Sequence, residues 1–294
     1  MNVRLARGFA MALVFATAPL AFGNEFTPRV ISAGGALTEI VYALGAEQQL
    51  VGVDSTSTWP TAATALPKVG YFRQLSAEGA LSLAPSLVLA SEDAGPPETL
   101  QQIRQAGVQV KTFANNYSSD GVATKIRAVA EALDRTEQGE RLANAVVTEV
   151  NAARARIAAL DGRQPRVLFV LGVGGGSPVA AGNATAASAM IALAGGINVF
   201  EDFEGYKPVN GEAIAIAAPD VLLTVEPASN TAELERQLLA IPGVAATPAG
   251  ENRRFVAMDG LRLLGFGPRL GETLNQLAGR LHAAPVTAES RDGG

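Results

Sequence analysis

The feature that most constrains the fold is an internal repeat. Residues 76–90 read SAEGALSLAPSLVLA, and residues 210–224 read NGEAIAIAAPDVLLT in the same register. Glu78 and Glu212 each stand seven residues before a proline, Pro85 and Pro219, and each proline leads into an apolar run. Ser76 and Asn210 are residue types whose side chains cap helix N-termini. An acid in the first turn is favoured by the helix dipole. Each copy therefore reads as a short capped helix followed by a buried strand. Two αβ units of any doubly wound protein look somewhat alike, but a register shared over fifteen residues predicts two related lobes.

The same alternation continues around the copies. RVISAGG (29–35) is a strand ending in glycines, and Leu37, Ile40, Val41 and Leu44 share one face of a following helix. LVGVD is a short strand, the Ser/Thr/Pro-rich stretch after it a loop, PPETLQQIRQAG a helix and VQVKTFA a strand. In the second half RVLFVLG, INVF, DVLLTVE and RFVAMDG read as strands. TAASAMIALAGG, TAELERQLLAIPG and PRLGETLNQLAGRLHAA read as helices, and EDFEGYKPV as a loop. Strands alternating with helices imply parallel sheets with covered faces. Residues 121–160 break the rhythm: they are Ala-rich, charged and helical, with Gly139 as a candidate interruption. The expected architecture is an α/β fold of two doubly wound αβ lobes joined by one long connecting helix, with a ligand cleft between the lobes. The expected boundaries are a signal peptide at 1–23, an N-terminal lobe at 24–120, the connecting helix at 121–162, a C-terminal lobe at 163–284 and a disordered tail at 285–294.

Composition narrows the function classes. Hydrophobic residues make up 48%, enough for a substantial core. The formal charge is −5 and no Lys/Arg run stands out, which argues against a nucleic-acid partner. Arg4 and Arg7 precede an apolar run from Phe9 to Phe22, with small residues at Ala21 and Gly23. That is the pattern of a cleaved secretory signal, since the run falls short of the ~20 residues a stable membrane insertion needs. There is no cysteine, so disulfides, thiol catalysis and a cysteine-borne lipid anchor are all excluded. A free, monomeric protein of the periplasm is expected.

Few residues could carry chemistry. A single histidine, His282, cannot build a site of several imidazoles, and its place near the tail suggests a surface residue. No G-x-S-x-G elbow occurs. LGVGGGSP (171–178) follows a strand but lacks the Lys-Ser/Thr of a phosphate loop and the third glycine of a dinucleotide fingerprint; it reads as a close-approach loop. Glu78 and Glu212 could be paired acid/base carboxylates, but their symmetric placement favours a docking pair for a two-fold basic partner. The chain has four tyrosines. Tyr42 lies in a helix, while Tyr71, Tyr117 and Tyr206 fall in loops between αβ elements. Phenolate is a recognised haem-iron ligand, and Arg73, two residues from Tyr71 in an extended loop, would project to the same side. A loop tyrosine sealing a domain edge is the competing reading of these residues alone.

Four stretches carry a resemblance: RVISAGGALTEIVYALGA, LPKVGYFRQLSAEGALSLAPSLV, FEGYKPVNGEAIAIAAPDVLL and MDGLRLLGFGPRL. They resemble the periplasmic haem-binding proteins of bacterial haemin ABC importers, within the substrate-binding class (class III) that includes cobalamin and ferric-siderophore receptors. The resemblance spans essentially the whole chain after the signal segment, and VGYxRQLSAEG is its specific part. It implies that Tyr71 is the axial ligand to ferric haem and that Arg73 hydrogen-bonds its oxygen. It implies that Glu78 and Glu212 dock on arginines of two permease subunits. Some members carry a histidine after the first strand of the second lobe, allowing a second stacked haem; here Val173 stands there, so one haem b per protein is expected. Lys68, Arg262 and either Arg253 or Arg254 are candidate propionate partners, and Tyr117, Tyr206 and Phe266 candidate porphyrin contacts in an apolar cleft with a few cations. The expected function is a haem receptor, not an enzyme, that delivers haem to a homodimeric ABC permease with its ATPase. Within the class the alternative is a cobalamin or ferric-siderophore receptor, the latter disfavoured by the lone Trp59. Outside it the alternative is an exported αβ hydrolase.

Overall fold

The computed structural model describes residues 28–171, 178–226 and 231–283. The expected signal peptide, Val173 with most of the glycine-rich loop, and the expected tail lie outside the described residues.

The first half builds β1 (Val30–Ala33), α1 (Gly35–Ala43), β2 (Leu50–Val53), β3 (Gly70–Tyr71), β4 (Gln74–Leu75), α2 (Ala77–Ser82), β5 (Leu87–Ser91), α3 (Pro97–Gln105) and β6 (Gln109–Phe113). Strands β2-β1-β5-β6 form one wholly parallel sheet. All five residues of β5 are buried, as expected for a strand covered on both faces.

Two helices follow, α4 (Ser119–Ala132) and α5 (Thr136–Ala158). The single helix expected over 121–162 is thus shorter, and the chain breaks before Gly139, at Asp134, whose φ is +56°. Gly139 lies inside α5 for a packing reason. A Cβ there would stand 2.3 Å from that of Ala130 on α4, so glycine lets the two helices pack at close range. The connecting role falls to the 23 residues of α5.

The second half builds β7 (Arg166–Val170), β8 (Val179–Ala181), α6 (Ala186–Leu193), β9 (Ile197–Asn198), β10 (Tyr206–Pro208), α7 (Gly211–Ala217), β11 (Val221–Val225), α8 (Thr231–Leu239), α9 (Pro248–Glu251), β12 (Phe255–Met258), α10 (Gly260–Leu264) and α11 (Leu270–Leu281). Strands β9, β7, β11 and β12 pair in parallel, but β8 runs antiparallel to both of its neighbours, β7 and β10. The stretch around Tyr206, expected as a loop, is therefore an edge strand. The β7–β8 connection is too short for a crossover helix, so β8 must return antiparallel.

The repeat survives at atomic detail. Ser76 Oγ accepts a hydrogen bond from the Gly79 N–H at 3.0 Å, and Asn210 Oδ1 accepts one from the Ala213 N–H at 2.8 Å. Both helices end on an alanine with positive φ, Ala84 at +46° and Ala218 at +42°, a region uncommon for residues with a Cβ. The lobes also share one core. Buried residues of α1, α4, α5 and α11 join Phe169 and Leu223 of the second sheet in a continuous apolar cluster. A Cβ on Gly271 of α11 would lie 2.7 Å from the Glu149 Cβ on α5, so α11 packs as tightly on the connecting helix as α4 does.

Candidate functional site

In both sheets the carboxyl ends of the parallel strands face a common cleft, where open αβ sheets bind ligands. The first lobe contributes the turn after β1 (Gly34–Leu37), Thr56 and Thr58, the β3–β4 turn, and residues after β5 and β6. The second contributes Leu171 after β7, Ala186, Tyr206, and Asp259–Leu261 after β12. The cavity in this cleft measures ≈ 800 Å³.

Tyr71 and Arg73 meet through a tight hairpin, not the expected extended loop. Tyr71 pairs with Gln74 across β3 and β4, leaving Phe72 and Arg73 as the turn. The turn swings the guanidinium back, so that Arg73 NH1 donates to the Tyr71 hydroxyl oxygen at 2.9 Å. The guanidinium carbon also lies 4.5 Å from the centre of the Phe72 ring, whose edge meets Tyr71. Tyr71 remains 39% exposed, so its phenol is open to a cleft ligand.

Tyr117 and Tyr206 also line the cleft. Burial pushes both phenols above the usual tyrosine range, and the nearby Asp93 and Glu92 charges push Tyr117 further. Both therefore stay neutral at ordinary pH. Tyr206 is steadied by the Ala187 N–H and the Thr185 side chain, and its ring edge meets Phe169.

Other expected pocket residues sit elsewhere. Lys68 does not line the cavity: its ammonium donates to the Ser57 and Ala63 carbonyl oxygens, at 3.3 and 3.1 Å, and pins the loop after β2. Arg262 turns away to pair with Glu272, while Gly260, Leu261 and Leu264 are the α10 residues that line the cleft. Arg253 pairs with Glu235, and Arg254 donates to the Leu281 carbonyl oxygen. Phe266 is 1% exposed and backs the ring of Tyr117 at 5.2 Å without reaching the cavity. His282 is half-buried beside the Ala194 carbonyl oxygen, not a free surface residue. Glu78 and Glu212 are both exposed, each in the first turn of its helix.

The cleft holds polar residues that sequence reasoning missed. Asp93 and Asn115 follow β5 and β6, and the 6%-exposed Lys125 of α4 lies behind them. Asp54, fully buried, accepts hydrogen bonds from the Gly34 N–H, the Thr56 N–H and the Ser57 hydroxyl; it fixes the loop that brings Thr56 and Thr58 to the cavity. Strand-end position was the available signal: Glu92-Asp93 and Asn115-Asn116 directly follow predicted strands.

Comparison with known proteins agrees with the two-lobed fold. The periplasmic binding protein family model matches residues 30–260. The solved periplasmic heme-binding protein BhuT, in complex with two hemes, is 48% identical with a TM-score of 0.81, covering 86% of this chain and 97% of that one. The apo heme-binding protein RhuT from Roseiflexus sp. RS-1 is 45% identical with a TM-score of 0.83, covering 87% and 98%. A vitamin B12-binding protein of Vibrio cholerae is 29% identical over 222 residues, 75% of this chain and 78% of that protein. Among the described residues no helix is long and apolar enough to cross a membrane.

Proposed function

The chain belongs to the periplasmic binding protein family, and on that premise we propose that it is a periplasmic receptor for ferric haem that supplies an ABC importer. The observation that carries this reading is the Tyr71 phenol, open to the cleft and held by a guanidinium donor at 2.9 Å. A phenol oxygen is a hard donor suited to ferric iron, and the Arg73 donor fixes where that oxygen stands in the cleft. Phe72, Leu171, Leu261 and Leu264 supply apolar surface for a porphyrin. The cavity lies in the ~300–1,000 Å³ range of small-molecule sites. Arg73 and Lys125 are the Lys and Arg side chains among the described lining, in place of Lys68 and Arg262, so the propionates are directed to them or to solvent.

In this reading the lobes grip the porphyrin faces and Tyr71 alone binds the iron, so one haem is held per protein. Glu78 and Glu212, one per lobe, dock on a two-fold permease served by its ATPase. The receptor acts as a monomer and catalyses no reaction.

A cobalamin receptor is the second reading, favoured by the vitamin B12-binding relative. Titrating purified protein with hemin and, separately, with cyanocobalamin separates the two. A saturable visible spectrum of a phenolate-bound ferric haem with a breakpoint at one equivalent is expected. Binding of cyanocobalamin alone would replace the haem reading, and a breakpoint at two equivalents would replace the one-haem expectation.

A further inference from the structure

Arg73 does not hold its place on Tyr71 alone. While NH1 donates to the Tyr71 oxygen, NH2 donates to Asp93 Oδ2 at 3.0 Å. The same carboxylate oxygen accepts from Asn115 Nδ2 at 3.0 Å. That amide nitrogen also donates to Ser91 Oγ at 3.0 Å, and the amide oxygen accepts from Lys125 Nζ at 3.3 Å. Five side chains thus form one hydrogen-bonded chain between a buried ammonium on α4 and the phenol in the cleft, with Asp93 accepting from both sides.

We infer that Asp93, oriented by Asn115 and Lys125, is the positioning residue that keeps the Arg73 guanidinium on the Tyr71 oxygen. This rests on Tyr71 being the iron ligand. The physical case has three parts. Arg73 is half-exposed, with 51% of its side chain open to solvent, and a free arginine in that setting samples many rotamers. Two anchors at the ends of one planar fork select a single one. Next, the orientation of the Asn115 amide is fixed from the buried end of the chain. With the Asn115 amide reversed, its NH2 would face the Lys125 ammonium and its oxygen would face the Asp93 carboxylate, so both contacts would become repulsive. Finally, the hairpin does not need Asp93 for its fold. Backbone bonds from the Gly95 N–H to the Phe72 carbonyl and from the Leu75 N–H to the Gly95 carbonyl, both 2.8 Å, already fasten it. An exposed ion pair adds little to fold stability, so the Asp93 side chain is free to serve the site.

The test compares Asp93→Ala, Arg73→Ala, the double variant and Asn115→Ala with wild type and Tyr71→Ala. Each is titrated with hemin, scanned in the visible range and melted. Asp93→Ala should weaken haem binding about tenfold, the lower end for partners of a metal ligand, and move the ferric charge-transfer bands toward those of Arg73→Ala. The double variant should match Arg73→Ala alone, because Asp93 acts only through the arginine. Asn115→Ala touches neither Tyr71 nor Arg73 and should shift the bands in the same direction by less. A wild-type spectrum in Asp93→Ala, or additive losses in the double variant at unchanged melting temperature, would overturn the positioning role and leave the ligand assignment standing. An unchanged spectrum in Tyr71→Ala would overturn both.

Discussion

Glu39 of α1 and Arg269 at the start of α11 tie the two lobes together through a forked ion pair. Arg269 Nε donates to Glu39 Oε2 at 3.0 Å and NH2 to the other carboxylate oxygen. The carboxylate is 5% exposed and the guanidinium 19%, and the Trp59 ring covers the guanidinium at 4.7 Å. Burial pushes the Glu39 carboxyl above its usual range, and Arg269 opposes that shift by hydrogen bond and by charge. The pair therefore ties α1, whose N-terminus lines the cleft, to the second lobe. Together with the shared core it argues for small lobe motions on ligand binding.

Removing one partner should cost more than neutralising one. Breaking a buried pair typically costs about 3–5 kcal/mol because the remaining charge is left without compensation. Arg269→Ala strands the more buried carboxylate and should lower stability most. Glu39→Gln removes the carboxylate's desolvation cost and can keep one hydrogen bond, so its loss should be smaller. Urea melts of the apo protein order the two variants, and equal losses would show that the pair is no more than a surface contact.

The architecture was legible because its signals are periodic and local. The repeat gave two lobes, and Ser76 and Asn210 cap their helices as their chemistry predicts. The Tyr71–Arg73 contact was also legible, though by the wrong geometry, since a two-residue turn leaves no hydrophobic period to read. The pocket cations were not legible. Lys68 and Arg262 lie close in sequence to cleft residues, but their direction is set by nearby partners, Ala63 and Glu272, which no hydrophobic period marks. Lys125 was hidden for the converse reason: a lysine in a charged, Ala-rich helix reads as solvated, and only the packing of α4 buries it.

Tyr71→Ala tests the ligand directly. Ferric haem affinity should fall by more than about 100-fold, beyond the 10–100-fold typical of losing an outer-shell partner. The phenolate-to-iron charge-transfer band should vanish. Tyr206→Phe serves as the contrast: the Arg73 guanidinium donates to Tyr71 and the pKa of the Tyr206 phenol is shifted upward by burial, so the band should persist with a modest loss of affinity. A surviving band in Tyr71→Ala that disappears in Tyr206→Phe would move the ligand to the second lobe.

Glu78 and Glu212 should matter to transport and not to binding. Both are exposed on the first turns of equivalent helices and neither lines the cavity. Reversing both charges, Glu78→Arg with Glu212→Arg, should leave the hemin titration unchanged and abolish haem uptake with the cognate permease. Like charges juxtaposed at an interface cost several kcal/mol, roughly 100-fold or more in affinity. Each single reversal should fall between, since each lobe would dock on one permease subunit. Normal uptake by the double variant would remove the docking role.

Lys125 should give the apo protein an alkaline gain in stability. Burial lowers its pKa from the usual 10.5, against the opposing attraction of Glu92 and Asp93. The unfolded chain therefore holds this proton more tightly than the folded one. The cost of burying the charge is fully present below the folded pKa and is relieved as pH rises from there toward 10.5, so folding stability rises across that window. Lys125→Met keeps most of the apolar stem and removes the charge. It should exceed wild type in stability at pH 7, and the difference should shrink as the pH approaches 10. The same substitution frees the Asn115 amide to reverse, so the haem-bound form should show the spectral shift expected of Asn115→Ala. A variant whose stability runs parallel to wild type at every pH would show that the ammonium pays no burial cost.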